Sequence, residues 1–277
     1  MLVVRLSSGI GNQLFQYAFA LYLKEKYQDT VYLESSSYKY RTSKRRFTIN
    51  IISELPTTSD KRIYYNYRPR FYKLCKAIFS LNPFVRSINE SNLTYPKNNK
   101  FIYFDGFWQS DYFVSHLTDY KKYFKPLEAM PASMKGYLED IRSSDSISMH
   151  VRRGDFFSEE FRHKYGVCDS EYYKKALDVL TKNTETRKLF IFTDDLDWVK
   201  ENLFLSVKYV VFIRNEEINP FWFIYLMSNC KDNIISNSSF SWWGAYLNEN
   251  PQKKVVAPKI WMNGEEKTIA LDSWIKI

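Results

Sequence analysis

The chain has 277 residues, 45% hydrophobic and 18% aromatic, which is room for one large domain or two of ordinary size. Its formal net charge of +9 is unevenly spread: residues 35–100 hold 14 Lys/Arg against Glu54, Asp60 and Glu90, or +11, leaving about −2 elsewhere, so the basicity belongs to one segment. Three scattered cysteines, Cys75, Cys168 and Cys230, exclude a disulfide framework and a zinc site of the CxxC type and point to a reducing compartment.

The start, MLVVRLSSGIGNQ, lacks a charged region followed by an apolar core, so no signal peptide is expected. MLVVRL reads as a strand. A Gly-x-Gly turn follows, then a helix from about Asn12 to Tyr27 that places Leu14, Tyr17, Ala18, Leu21 and Tyr22 on one face. Its greasy stretch LFQYAFALYL, interrupted by Gln16, is too short to span a bilayer. Gly9 and Gly11 have part of the spacing of a dinucleotide-binding loop, but Leu14 stands where a third glycine belongs, and only Glu34 ends a following strand with an acid. A tight strand-to-helix turn explains the glycines equally well. On either reading, Asn12 and Gln13 could present amides to a polar ligand.

After Glu34 the pattern gives way to a basic, aromatic, irregular segment over 35–100. Within it, RFYKLCKAIFSL places Phe71, Leu74 and Ile78 on one helical face with Arg70, Lys73 and Lys76 beside it. That is the pattern of a helix on an anionic membrane surface, or of an ordinary surface helix. Order returns at KFIYFDGFW, and KPLEAMPASMKG, with two prolines and a glycine, reads as a linker. The second half alternates strands at 146–151, 189–193, 208–213, 233–235 and 254–257 with helices at about 170–182, 196–204, 219–230 and 240–249, the third opened by Asn219 and Pro220. Such alternation predicts parallel sheets covered on both faces: an α/β protein of two Rossmann-like halves, 1–130 carrying the basic insertion and 140–277 including a closing tail.

Three constellations fall at the carboxyl ends of strands in the second half, where open α/β sheets bind ligands. In HVRRGDF, His150 and Arg152 share one face of a strand, and Gly154 allows a turn; a guanidinium is a fixed-fork partner for phosphate. The alternative is an Arg152–Asp155 pair that stabilises the turn. In LFIFTDDLDW, Thr193 leads into Asp194 and Asp195, which read as metal ligands, as a carboxylate for a guanine edge, or as helix caps. In IISNSSFSWWGAYLN, the run Ser238, Ser239, Phe240, Ser241 opens a helix, giving an anion site of hydroxyls and free N–H groups, or a serine cap before two core tryptophans.

Taken together, GIGNQLFQYAFALYL, HVRRGDF, FTDD and SNSSFSWWGAYLN resemble, in order and spacing, the motifs of the α1,2-fucosyltransferases of glycosyltransferase family 11, over nearly the whole chain. One departure is Ser8, where relatives usually carry glycine. The resemblance implies a GT-B-like architecture, two Rossmann-like domains with a cleft between them. It implies GDP-fucose as donor on the C-terminal half, an acceptor on the N-terminal half and no obligatory metal. Carried over by motif, Arg152 would sit on the diphosphate with Arg153 assisting or structural, and His150 with Asp195 would recognise guanine. Ser239 and Ser241 would hold phosphate within a donor set that also includes Thr193, Asp194, Ser238 and Phe240. Asn12 would face the cleft from the loop of Gly9, Gly11 and Gln13.

The chemistry agrees. Displacing GDP from an anomeric carbon builds negative charge on the diphosphate, which without a metal requires a preorganised cation, and Arg152 fits. The acceptor hydroxyl must lose a proton; Asp155, Glu159 and Glu160 are the nearby carboxylates. The expected acceptor is a galactose-terminated oligosaccharide or lipid-linked glycan, met in the cytoplasm or at the inner face of the membrane, with transfer to the 2-hydroxyl and inversion. Transfer to another position, a non-enzymatic sugar-binding module and a nucleic-acid-binding protein are the competing classes. The last accounts for the basic segment but not for the ordered ligand motifs.

Overall fold

The structure, a computed structural model, describes residues 1–39, 45–58, 85–88, 90, 93, 101–157, 159, 162–165, 168–181, 186–203, 207–213, 217–264 and 268–277. The basic helix expected near 70–81 and the carboxylate Glu160 lie outside the described residues. The chain divides into two compact units, Met1–Leu127 and Glu128–Ile277. No described helix is long and apolar enough to cross a membrane.

Unit 1 is built on strands β1 (Leu2–Arg5), β2 (Val31–Glu34), β3 (Thr57–Thr58), β4 (Val85–Ile88) and β5 (Phe101–Phe104). They are parallel throughout, in the order β3-β2-β1-β5-β4. Leu2, Val3 and Val4 are fully buried, as a central parallel strand covered on both faces requires. Helix α1 (Ile10–Tyr27) starts two residues before the expected Asn12, and it is not amphipathic over its first four turns: apart from Asn12, every residue from Ile10 to Leu23 is buried. A helix apolar nearly all round belongs inside. Its two glutamines are tolerated there because their amides are fully bonded. Gln16 accepts from Ser7 N at 2.9 Å and donates to Ser7 Oγ at 3.0 Å and Gly106 O at 2.9 Å.

Unit 2 holds β6 (Ser146–Val151), β7 (Lys188–Thr193), β8 (Tyr209–Phe212), β9 (Asp232–Ile234), β10 (Val255–Ala257) and β11 (Ile275–Lys276), parallel in the order β11-β10-β9-β6-β7-β8. The closing tail thus adds a sixth strand. Between these strands lie α2 (Ala132–Ser143, before β6), α3 (Ser170–Thr181), α4 (Leu196–Asn202), α5 (Phe221–Ser228) and α6 (Ser239–Tyr246). Tyr173, Ala176, Leu177 and Leu180 of α3 bury the sheet residues Ile147, Met149, Leu189 and Ile234. Asn219 opens α5 as expected, its side chain accepting from Phe221 N at 3.0 Å. Trp242 and Trp243 are core residues, both fully buried. At Gly244 an added Cβ would meet Met227 Cβ at 2.8 Å, so glycine is what lets α5 and α6 approach.

In unit 2 the strand order reverses between β6 and β9, and ligands of open α/β sheets bind outside the carboxyl ends of strands at such a point; in unit 1 the order β3-β2-β1-β5-β4 steps one way throughout, with a jump between β1 and β5.

Candidate active site

In unit 2 the strand ends gather the expected motifs. His150, 6% exposed at the end of β6, is bonded through Nδ1 to Ser236 Oγ at 2.9 Å, a contact that bridges the β6/β9 switch. Its ring centroid is 5.2 Å from that of Phe240. Burial first, and then the charge of Arg152, push its pKa down from 6.5 to about 3, so the imidazole is neutral.

Arg152 pairs through Nη1 with Asp194 Oδ2, while Asp194 Oδ1 accepts from Arg153 N at 2.8 Å. One carboxylate therefore binds both arginines, the first by its side chain and the second by its backbone. Gly154 is explained by the same group: a Cβ there would lie 2.6 Å from Asp194 Oδ2. Close approach, not turn conformation, demands the glycine, since its φ is not positive. Arg153 is enclosed, its Cζ 3.7 Å from the Phe157 ring centroid and 3.9 Å from that of Trp198, with Asp195 Oδ2 at 3.8 Å from Nε. Burial pulls this guanidinium's pKa below its ordinary value. Adjacent arginines thus do separate jobs: Arg153 is packed, and Arg152 is held by a carboxylate.

The other expected residues of unit 2 lie around this pair. Asp194, 42 positions away in the chain, pairs with Arg152, and Asp155 opens a 3-10 turn at Asp155–Phe157. Asp195 caps α4, its Oδ1 accepting from Trp198 N at 3.1 Å, and Thr193 Oγ1 accepts from Asp195 N at 3.0 Å. Ser241 is fully buried, its hydroxyl donating toward Ser236 O at 3.4 Å and Ser238 O at 3.3 Å. Ser238 is 7% exposed and caps α6 by accepting from Phe240 N. Ser239 and Phe240, half-buried on the first turn of α6, keep the positions expected of a ligand-facing helix start. Glu159 is exposed.

The glycine-rich loop of unit 1 also differs from expectation. The left-handed residue is Ser8, with φ 67°, whereas Gly9 has φ −77° and open space around it. Ser8 thus occupies a left-handed conformation that glycine adopts at lower cost. Ser8 has a local compensation, because its hydroxyl accepts from Asn12 Nδ2 at 2.9 Å. Gln13 presents nothing to a ligand: it is fully buried, accepting from Thr48 N and Ile49 N at 3.0 and 3.1 Å and donating to Ser8 O and Arg46 O. Glu34 is likewise internal, bonded to Ser36 N at 2.6 Å and Tyr103 Oη at 3.2 Å, and burial raises its pKa.

Sequence reasoning missed the groups facing this loop from β5. Gln109 Nε2 donates to Asn12 Oδ1 at 2.6 Å, Arg5 pairs with Asp105 at 2.7 Å, and Trp108 has φ 56°. The only signal was position, immediately after a strand.

The model of Glycosyl transferase family 11 matches residues 82–277. An α1,2-colitosyltransferase of Escherichia coli is 30% identical over 297 aligned positions, covering 100% of this chain and 99% of that protein. The O-antigen biosynthesis glycosyltransferase WbnK of Escherichia coli is 29% identical, covering 98% and 99%. Human galactoside α-(1,2)-fucosyltransferase 1 is 30% identical over 121 residues, 42% of this chain and 33% of its own. Among solved structures, the fucosyltransferase NodZ from Bradyrhizobium superposes with a TM-score of 0.54 over 88% of this chain and 91% of its own. At 16% identity that likeness is one of fold, the GT-B-like α/β class expected from the alternating strands and helices.

Proposed function

The chain belongs to glycosyltransferase family 11, and on that premise we propose that it transfers L-fucose from GDP-β-L-fucose to the 2-hydroxyl of a terminal galactose, with inversion and without an obligatory metal ion. The observation that carries the reading is Arg152, held at the carboxyl end of β6 by Asp194. Departure of GDP concentrates negative charge on the diphosphate, and a preoriented guanidinium stabilises that charge more in the transition state than in the ground state. Asp194 and Asp195 are both engaged by protein donors, which supports an arginine over a metal ion as the partner of the leaving group. The neutral His150 beside Phe240 is suited to a base edge more than to phosphate. Asp155, Glu159 and Glu160 are the carboxylates from which the acceptor's base would come. The acceptor would be a galactose-terminated or lipid-linked glycan, met on the cytoplasmic side. The colitosyltransferase among the relatives favours a second reading of the donor, GDP-colitose.

Incubation of the full chain with lactose and either GDP-fucose or GDP-colitose, with and without EDTA, tests the proposal. The expected outcome is fucosyl transfer, a product cleaved by an α1,2-specific fucosidase, and most of the activity retained in chelator. Transfer from GDP-colitose alone would move the donor assignment. Loss of activity with EDTA, restored by Mg²⁺ or Mn²⁺, would make a divalent ion part of the reaction.

A further inference from the structure

Ser236 has no part in the chemistry above, yet its hydroxyl is bonded to the ring of His150. Resting on the transferase reading, we infer that Ser236 is a positioning residue: it locks the hydrogen of the His150 ring on Nε2, so that the site meets a nucleobase with a donor and selects a keto oxygen over an amine. Three features carry this.

The first is a count of hydrogens. Ser236 is fully buried, so its one hydroxyl hydrogen needs an acceptor within the protein. His150 Nδ1 lies at 2.9 Å, whereas Ser241 Oγ lies at 3.4 Å, beyond the ordinary O–H···O range of about 2.5–3.0 Å. Were Nδ1 to carry the ring hydrogen, Ser236 would have to accept it, and its own hydrogen would be left with that long contact. With Nδ1 as the acceptor, one short bond satisfies both groups, and the ring hydrogen belongs to Nε2. The second feature is the frame around Ser236. Ile235 O accepts from Tyr172 Oη at 2.5 Å, and Ser236 O accepts from Ser238 N at 2.7 Å. Asn237 Nδ2 donates to Tyr165 O and Trp261 O at 3.0 and 2.9 Å. The hydroxyl is therefore presented by a backbone fixed before any ligand arrives. The third is the ring itself. Burial keeps it neutral, so it has a tautomer to fix, and Phe240 lies against it at a tilt of 38°. Ser146 and Ser148, on the same face of β6, are engaged elsewhere, accepting from Lys231 N at 3.2 Å and Asn233 Nδ2 at 2.6 Å. Among the described residues, Ser236 is the hydroxyl that reaches the ring. A neutral imidazole that donates can pair with O6 of guanine but not with the amine that adenine carries at the same position.

The full chain labelled with ¹⁵N-histidine has three imidazoles to resolve, those of His116, His150 and His163, and His150→Gln assigns the one in question. Two-bond correlation spectra at neutral pH should show hydrogen on His150 Nε2 and none on Nδ1. In Ser236→Ala the ring should divide between the two tautomers. Calorimetry should then show the Kd for GDP rising about five- to tenfold while that for ADP moves by less than about twofold. A hydrogen on Nδ1 in the wild-type chain, or an unchanged tautomer in Ser236→Ala, overturns the lock, and the wild-type spectrum decides even if the variant does not fold. Unchanged GDP affinity in a variant whose tautomer has shifted overturns the selection of the keto oxygen. If the wild-type chain binds no GDP, the transferase reading fails by itself, and the spectrum still decides the lock.

Discussion

Asp194 is the residue on which the arrangement of unit 2 turns. Its two oxygens serve two arginines, and Gly154 makes room for it. A neutral amide keeps the shape but loses the charge that fixes Arg152. Charge-assisted hydrogen bonds are worth about 1.5–3 kcal/mol, so Asp194→Asn should lower kcat by about one to two decades. Arg152→Ala should lose about two to three decades, the cost of removing one preorganised electrostatic contact. Gly154→Ala, which drives a methyl group into the carboxylate, should resemble Asp194→Asn. Steady-state kinetics and melting curves on these variants check the assignment, and a folded Asp194→Asn enzyme with near-normal turnover would refute it.

At the scale of elements, α4 shows why one motif carried several meanings. Asp195 caps it, and its third residue, Trp198, covers the Arg153 guanidinium. Asp195→Ala should cost about 1 kcal/mol and about 2–4 °C in melting temperature, whereas Asp195→Asn, itself a good cap, should keep nearly all of that stability. Calorimetry with GDP then separates the roles: affinity falls in both variants if the carboxylate also reads guanine, and in neither if it only caps. The pattern TDD followed by a helix was legible as a cap because capping is local. The Arg152–Asp194 pair was not, because β6 and β7 must lie side by side before the two residues meet, and periodicity fixes strands without fixing their neighbours. The same limit applies to α1. Its apolar positions predicted the helix, but the burial of Gln13 and Gln16 depends on partners at Arg46, Thr48, Ile49 and Gly106, which no spacing within the helix announces. Ser8 was legible as a departure, and only its φ shows why the departure matters.

For the molecule as a whole, pH acts through groups held in the wrong charge state. An unfolded histidine takes a proton as pH falls below 6.5, whereas His150 in the fold takes one only near 3. Between those values the unfolded chain binds more protons, so stability present above 6.5 is lost on acidification, with a slope of about 1.4 kcal/mol per pH unit. Glu34 opposes it. Its pKa is raised by burial, so its contribution declines as pH rises above the ordinary carboxylate range. The difference between wild type and His150→Gln isolates the histidine: the variant should melt with a shallower dependence on pH between about 4 and 6.5, and parallel curves would show that His150 titrates normally in the fold.

The Arg152–Asp194 pair also sets what the protein ignores. A bare guanidinium at the mouth of a sheet would collect whichever small anion is most abundant around it. Here a rival anion is built into the chain, anchored at its second oxygen by a backbone N–H, and it never diffuses away. A newcomer must outcompete that tethered rival at the high local concentration the fold imposes. Orthophosphate or sulfate brings little beyond a single centre of charge to the contest. A nucleoside diphosphate arrives with two linked phosphates and a base, and can repay the displacement elsewhere. On the proposed reading of Arg152 as the diphosphate's partner, the internal pair would act as a filter, biasing the resting molecule against salts that share the donor's charge but not its length.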